Sequence, residues 1–129
     1  MRANRRSDTK PERLVRRQLR EAGHPGYRLQ WPIRRADRSI LCRPDITFVG
    51  RRIAIFVHGC FWHRCPSCDP PMPRSNRAYW AAKFEDNMAR DRRKEQELRH
   101  LGWEVITIWE CEVNQIDTVG SAGLWTDLP

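Results

Sequence analysis

The chain has 129 residues, a formal net charge of +8 at pH 7 and 40% hydrophobic residues. This length suits a single domain over residues 1–129, whose modest core predicts a further staple such as a bound metal. No segment is apolar and long enough to cross a membrane, and the charged start has no apolar stretch of a secretory signal behind it. We therefore expect a cytoplasmic protein.

The basic residues are unusually rich in arginine. All but three of the 24 are arginines. The planar guanidinium binds phosphate through two parallel hydrogen bonds, so this composition favours a nucleic-acid partner. A surface that is merely kept soluble by its charge is the alternative that composition leaves open.

The first predicted element is a helix that begins after Thr9. The run Thr9–Glu12 matches a capping box, in which the N-cap hydroxyl and the third helical residue bond reciprocally. Val15, Leu19 and Ala22 form its apolar stripe, and Gly23 ends it.

Short strands are predicted next. Apolar and polar residues alternate over residues 27–33, and Pro32 indicates that this strand lies at a sheet edge. Two β-rich runs follow at Asp45–Val49 and Ile53–Val57. Residues 50–52 between them predict a hairpin turn.

A loop rich in cysteine and proline is predicted from His58 to Pro73. Ser75 or Asn76 can cap a long helix that reaches about Leu101, with a break near its middle. Gly102 ends this helix.

The last predicted strand covers residues 103–109, and residues 114–129 carry no strong pattern. The resulting order is α-β-β-β-α-β. This order predicts an α/β domain with a mixed central sheet flanked by helices.

Four cysteines are candidate ligands of one structural zinc ion: Cys60, Cys65, Cys68 and Cys111. The run Cys65–Cys68 is a CxxC knuckle, a common half of a zinc site. Buried free thiols are the alternative, and clustering among prolines makes it the weaker one. Cys42 lies in a separate β-rich segment and is left out. His63 could also be a fourth zinc ligand, but it fits the acidic site better.

Asp45 stands at the head of one strand, and His58 and His63 follow the next. An aspartate there loses hydration unless it binds a cation or hydrogen-bond donors, although a turn aspartate capping the strand is the plain alternative. If the two strands pair, a carboxylate and two imidazoles converge at the sheet edge. Such a group can perform hydrolysis assisted by Mg²⁺, with an imidazole orienting or deprotonating the attacking water.

One face of the long helix is apolar at its ends and polar at its centre, and its members are Trp80, Phe84, Asn87, Asp91, Lys94, Leu98 and Leu101. Asp91 could reach the Asp45 site from this face. A surface salt bridge with neighbouring arginines is the equally open alternative.

Phe61 and Trp62 form an aromatic pair in the cysteine loop. They could belong to the core. Held on a loop tied by zinc, they could instead wedge between DNA bases. The sequence pattern leaves both interpretations open.

Five segments together resemble the very short patch repair endonucleases, a family of DNA mismatch nickases: Asp8–Glu12, Arg43–Asp45, Val57–His63, Asn87–Arg92 and Gly102–Cys111. The run HGCFWH, followed by a cysteine cluster and by WEC downstream, is highly specific. The resemblance extends from Met1 to about Val113.

The resemblance implies a restriction-endonuclease-like core. It also implies Mg²⁺-dependent nicking beside a T:G mismatch that arises when 5-methylcytosine is deaminated. The implied site comprises Asp45 and the backbone carbonyl of Val57 as Mg²⁺ ligands, His58 and His63 as active-site histidines, Glu12 and Asp91 as supporting acids, Cys60, Cys65, Cys68 and Cys111 as zinc ligands, and Phe61, Trp62 and Met1 in contact with DNA.

Family members often carry histidine among the zinc ligands where this loop offers Cys65 and Cys68. They also usually have a segment before the position of Met1 that helps to clamp DNA. We expect a monomer acting on double-stranded DNA with a T:G mismatch, nucleoid-associated through that DNA, and functionally linked to a cytosine-5 DNA methyltransferase.

Two other functions compete with mismatch nicking. One is a restriction or defence nuclease on the same fold with a different trigger. The other is a non-catalytic DNA-binding module braced by zinc, which would have no use for Asp45, His58 or His63.

Overall fold

The computed structural model describes residues 9–113, so Met1 and the tail from Asn114 lie outside the described residues. The elements in chain order are α1 (Lys10–Glu21), β1 (Ile33–Arg34), β2 (Ile40–Cys42), β3 (Ile46–Phe48), β4 (Ile53–His58), α2 (Cys60–His63), α3 (Arg77–His100) and β5 (Glu104–Trp109). The mixed α/β class predicted from the sequence is confirmed.

Helix α1 begins at its predicted cap. The side-chain hydroxyl of Thr9 accepts from the backbone N–H of Glu12 at 3.4 Å. That hydroxyl also donates to Glu12 Oε2 at 3.2 Å. These bonds satisfy one of the free amides of the first turn and turn Glu12 back toward the cap. Gly23, with φ of +90°, lies just past the end of α1, as expected of a helix stop.

The strand predicted over residues 27–33 is largely wrong. Only Ile33–Arg34 is a strand, paired with β2, and Arg28 forms an isolated bridge with Thr47. Gln30 has φ of +55°, which interrupts an extended backbone, and Pro32 lacks the N–H that a continuous ladder requires. The alternation of residue types was present without the hydrogen-bonding partners of a strand.

Strands β3, β4 and β5 form one mixed sheet. β3 pairs antiparallel with β4 through the predicted hairpin, and β4 pairs parallel with β5, with His58 opposite Trp109 at the end of the register. A parallel pair needs a long crossover, which α2 and α3 supply. Because β4 and β5 run in the same direction, both end at one edge of the sheet, where the cysteine loop begins.

Helices cover both faces of this sheet. Ile53 and Ile55 pack with Val15 and Leu19 of α1 on one face. The alternate β4 residues, Ala54 and Phe56, pack with Leu98 of α3 and Val105 of β5 on the other. β4 is therefore apolar on both sides, which is typical of a strand at the centre of a covered sheet. No helix within residues 9–113 is both long and apolar enough to span a bilayer.

Helix α3 runs unbroken for 24 residues, and the predicted break is wrong. No glycine or proline lies between Arg77 and His100 to interrupt it. Asn76 is the N-cap, but its side chain accepts no capping bond. The loop predicted over His58–Pro73 contains α2, a single helical turn.

The packing of Leu98 predicts the stability of the sheet–helix layer. Leu98 is 0% exposed, so Leu98→Ala removes buried methyl groups and leaves a cavity. We expect the free energy of unfolding to fall by about 2–5 kcal/mol. Urea denaturation followed by circular dichroism measures this change. Leu29→Ala is the control, because Leu29 is 48% exposed; equal losses in both variants would contradict the packing described here.

Candidate functional site

A cleft of about 860 Å³ opens where β4 ends, between the start of α1 and the middle of α3. Its lining includes residues that the sequence analysis selected: Glu12, Asp45, Val57, His58, Phe61, Trp62, His63 and Asp91. Residues from four elements and the loop before β3 thus converge on one concavity.

Asp45 lies at the head of β3 and is mostly buried beside β4. Its Oδ2 accepts a hydrogen bond from the backbone N–H of Val57 at 2.7 Å. Burial raises the pKa of Asp45 to about 7, although the bond from Val57 acts in the opposite direction. The repulsion of Glu12 adds to the rise and the charge of Lys94 reduces it. A cation that enters the cleft would therefore stabilise the ionised form of Asp45.

His63 and Asp91 form a hydrogen-bonded pair across the cleft. His63 Nδ1 donates to Asp91 Oδ2 at 2.6 Å. Burial acts to raise the pKa of Asp91, but the hydrogen bond and the charge of His63 outweigh it and the pKa is lowered. This contact fixes the imidazole orientation and leaves Nε2 of His63 without the proton in the neutral ring. The helix face therefore brings Asp91 to the cleft rather than to a surface arginine.

His58 lies flat against His63. The two ring centres are 3.8 Å apart with planes inclined by 6°. Burial, followed by the charge of His63, lowers the pKa of His58 to about 4, so its imidazole is neutral at pH 7. Its Nδ1 is buried without a hydrogen-bond partner among the described residues. This nitrogen of the neutral imidazole can donate or accept one hydrogen bond, depending on the tautomer of the ring.

Ligand atoms of His58, His63 and Asp91 lie within 4.8 Å of one another. Parallel stacking nevertheless argues against one ion shared by both rings. A metal binds an imidazole nitrogen in the plane of its ring, and the planes of two stacked rings inclined by only 6° do not meet near their nitrogen atoms. These three groups are therefore better arranged for handling water and protons than for joint coordination.

The four predicted cysteines form one cluster. One sulfur from each of Cys60, Cys65, Cys68 and Cys111 lies within 4.8 Å of the others. Cys65 Sγ and Cys111 Sγ are 3.8 Å apart, too far for a disulfide. Four sulfurs at about 2.3 Å from a tetrahedral zinc ion would be about 3.8 Å from one another. The cluster has the donor set and spacing of a structural zinc site, and His63 is not part of it.

Local backbone geometry brings the cysteine loop together. Arg64 ends α2 in the left-handed region with φ of 56°, which turns the chain so that Cys65 N donates to Cys60 O at 3.0 Å. Burial acts to raise the pKa of Cys65, but backbone N–H groups of Cys68 and Ser67 outweigh it and the pKa is lowered. Donors that stabilise a thiolate also suit a metal ligand.

Phe61 and Trp62 belong to a larger aromatic cluster than the sequence predicted. Trp80 and Phe84 of α3 pack against them, with Trp62 and Trp80 ring centres 5.8 Å apart and Phe61 and Phe84 5.2 Å apart. Phe84 is buried, whereas Phe61 and Trp62 remain partly exposed and line the cleft. Phe61 and Trp62 therefore pack against α3 on one side and are exposed to the cleft on the other.

Two contacts beside this cluster were not anticipated. The guanidinium of Arg64 lies 4.3 Å from the centre of the Phe84 ring and donates to the carbonyl oxygens of Phe61 and Pro70. Asn87 Nδ2 donates to the carbonyl of Trp62 at 3.5 Å. The position of Asn87 at the polar centre of an otherwise apolar helix face was the available signal, whereas nothing in the sequence pattern marked Arg64.

Comparison with known proteins gives consistent matches. The family model described as DNA mismatch endonuclease Vsr matches residues 1–69. The type II nicking enzyme V.NaeI of Lentzea aerocolonigenes is 43% identical over 112 residues, which cover 87% of this chain and 66% of that protein. The type II nicking enzyme V.XorIIP of Xanthomonas oryzae pv. oryzae is 40% identical over 109 residues, 84% of this chain and 75% of that protein.

The DNA mismatch endonuclease Vsr of Escherichia coli is 40% identical over 75 residues, which cover 58% of this chain and 48% of that protein. The chain therefore spans between about half and three quarters of the length of these three relatives. The predicted membership of a DNA endonuclease family is confirmed by these matches.

The cysteine geometry predicts one tightly bound zinc ion per chain. Cys111→Ser should abolish stoichiometric zinc and lower the melting temperature, because binding free energy at such a site is also folding free energy. Cys42→Ser, at a partly buried cysteine outside the cluster, should keep the full zinc content and lower the melting temperature less. Metal analysis and thermal melting of purified protein measure both effects. Full zinc content in Cys111→Ser would show that the cluster does not hold the metal.

Proposed function

The chain belongs to the DNA mismatch endonuclease Vsr family, and on that premise we propose that it nicks one strand of duplex DNA by metal-dependent hydrolysis. One observation supports this most directly. Asp45 and the His63–Asp91 pair line the same cleft, which provides a place for a cation next to a base for water. A restriction-endonuclease-like core agrees with the mixed sheet covered by helices on both faces.

Asp45 and the backbone carbonyl of Val57 would hold the catalytic Mg²⁺. The donor chemistry fits, since Mg²⁺ prefers oxygen ligands and Asp45 is a mostly buried carboxylate whose charge costs hydration. The N–H bond from Val57 orients the carboxylate. When bound, the ion stabilises negative charge on the phosphate and lowers the pKa of water.

His63 is proposed to accept a proton from the attacking water through Nε2. Asp91 holds the other nitrogen, Nδ1, and stabilises the imidazolium that forms. His58 stays neutral and can donate a hydrogen bond to the phosphate or to the departing oxygen. Glu12, which is 4% exposed, supports the site from α1 by its charge near Asp45.

The zinc site is proposed to be structural. Three ligands come from the loop after β4, and Cys111 lies two residues after the end of β5. A closed set of four thiolates leaves no coordination position for a substrate. Zinc would therefore fix the cysteine loop, and with it Phe61 and Trp62, against the sheet edge.

Recognition of a T:G mismatch is proposed to depend on Phe61 and Trp62. Insertion of an aromatic ring must unstack a base step, and this costs less at a wobble pair than at a matched pair. The rings rest on Trp80 and Phe84, so they need little further ordering before insertion. The mismatch arising from 5-methylcytosine would link this function to a cytosine-5 DNA methyltransferase, and the protein would act as a monomer.

A site-specific nicking enzyme is the second candidate, because relatives covering more than four fifths of the chain are named type II nicking enzymes. Matched duplexes that carry T:G or C:G at one position discriminate between the two. Preference for T:G supports mismatch recognition. Equal nicking of both duplexes supports the second candidate, and no nicking of either in Mg²⁺ supports a DNA-binding module.

Asp45→Asn should reduce the nicking rate on the order of a hundredfold or more, because the neutral amide binds the cation much more weakly than a carboxylate does. DNA binding should remain close to that of the unmodified protein. The nicking rate of the unmodified protein should rise as the pH increases toward 7. The reason is that the Asp45 carboxyl group, with a pKa of about 7, must lose its proton to bind Mg²⁺. Rates across pH at two Mg²⁺ concentrations test this.

Asp86→Asn, the same change at an exposed position of α3, is the control and should nick normally. Higher Mg²⁺ should move the pH midpoint downward, because metal competes with the proton for Asp45. A pH midpoint that does not change with the Mg²⁺ concentration would contradict the assignment of Asp45 as a Mg²⁺ ligand.

Trp62→Ala should lower the ratio of T:G to C:G nicking while leaving salt-dependent binding to matched DNA nearly unchanged. The reason is that the ring contributes to unstacking, whereas phosphate contacts supply the general affinity. Trp103→Ala is the control; Trp103 packs against the core cluster that includes Val105 and does not line the cleft, so its loss should lower stability without altering the ratio. The melting temperature and the ratio of T:G to C:G nicking, measured on the same preparations, distinguish a DNA-contacting ring from a core ring. A destabilised Trp62→Ala protein that still prefers T:G would assign the ring to the core.

A further inference from the structure

Lys94 places a cation in the cleft that the chemistry above does not use. It lies on α3 one turn after Asp91 and lines the same concavity as Asp45. Its Nζ is 4.0 Å from Asp91 Oδ1, beyond hydrogen-bonding distance. Within residues 9–113 the ammonium makes no hydrogen bond, so all three donors remain available for a ligand.

The Lys94 side chain is nevertheless held in place. Its Nζ lies 4.7 Å from the centre of the Phe56 ring, and only 28% of the side chain is exposed. Phe56 belongs to β4, two residues before His58, and is itself buried. Cation–π attraction and packing therefore keep the ammonium beside the strand that carries the site, so little ordering is required when a ligand binds.

Two other cations line the cleft within the described chain, and each already makes a hydrogen bond. Arg43 Nη1 donates to the carbonyl of Gln30 at 3.4 Å, and Arg90 Nη1 donates to Asn87 Oδ1 at 3.5 Å. Both arginines are exposed. A phosphodiester entering the cleft meets four carboxylates, and Lys94 is the partly buried member of the three lysine and arginine side chains that line it.

We propose that Lys94 binds the scissile phosphate, with Nζ donating to a non-bridging oxygen as negative charge develops there. This inference rests on the proposed nicking activity. A pre-positioned ammonium stabilises that charge without reorganising during the reaction. Asp91 accepts from His63 through Oδ2, so its Oδ1 side can keep the nearby ammonium oriented while Nζ contacts DNA.

Single-turnover nicking by Lys94→Met should be slower on the order of a hundredfold, as expected for loss of one donor to a developing charge. Lys94→Arg, which keeps the charge, should recover part of the rate. Arg99→Met removes one charge from the exposed end of the same helix, where Arg99 pairs with Glu95, and should nick normally. Equal rates for Lys94→Met and Arg99→Met would overturn the proposal.

A double variant separates phosphate binding from support of Asp91. If Lys94 binds phosphate, Lys94→Met slows nicking further in the Asp91→Asn background. If the double variant nicks at the same rate as Asp91→Asn alone, Lys94 acts only through Asp91 and the proposal fails.

Binding with Ca²⁺ in place of Mg²⁺ gives a readout that does not depend on cleavage. Lys94→Met should reduce the slope of log K against log salt by about one relative to Arg99→Met. A protein that nicks no duplex but shows this change in slope would refute the nicking function while supporting the phosphate contact. An unchanged slope would overturn the contact itself.

Discussion

The parallel pairing of β4 with β5 is the constraint on which the rest of the structure depends. Its register places His58 opposite Trp109, so both strands end at the same edge. The HGCFWH run therefore lies beside the segment that carries Cys111, although residues 64–110 separate the two in the chain. Without this register, the cysteine cluster would lack Cys111, the two histidines would lose their edge contacts with Trp109, and β4 would lose its parallel neighbour.

The same register concentrates groups that burial disfavours. Asp45 loses hydration beside β4, His58 is kept neutral, and Asp91 is stabilised by His63. Without a cation, protonation of Asp45 near neutral pH removes the cost of burying its negative charge. A cation bound at Asp45, as proposed above, would offset the buried charge without a proton, so ion binding and ionisation of Asp45 would be coupled. Lys94 lines the same cleft.

The cysteine loop links two parts of the molecule with different physical demands. In one part, the four cysteine sulfurs lie close together. In the other, the rings of Phe61 and Trp62 pack against α3 but remain partly exposed. Arg64 lies between them, with its guanidinium against Phe84 and its hydrogen bonds to the carbonyls of Phe61 and Pro70. Arg64 therefore connects the cysteine loop to the aromatic cluster, and a short loop with several fixed points has few alternative conformations.

The sequence by itself determined the elements whose signals are local: the capping box of α1, the β3–β4 hairpin, the long α3 and the last strand. It also determined the residue types of the candidate site, since Asp45, His58, His63 and the four cysteines stand out by chemistry and spacing. Only the tertiary structure decided partners. It showed that residues 27–33 lack a neighbouring strand over most of their length, that Asp91 meets His63, that Lys94 faces the cleft, and that Trp80 supports the aromatic pair. Capping and periodicity act over a few residues, whereas these contacts join segments far apart in the chain and depend on the sheet register.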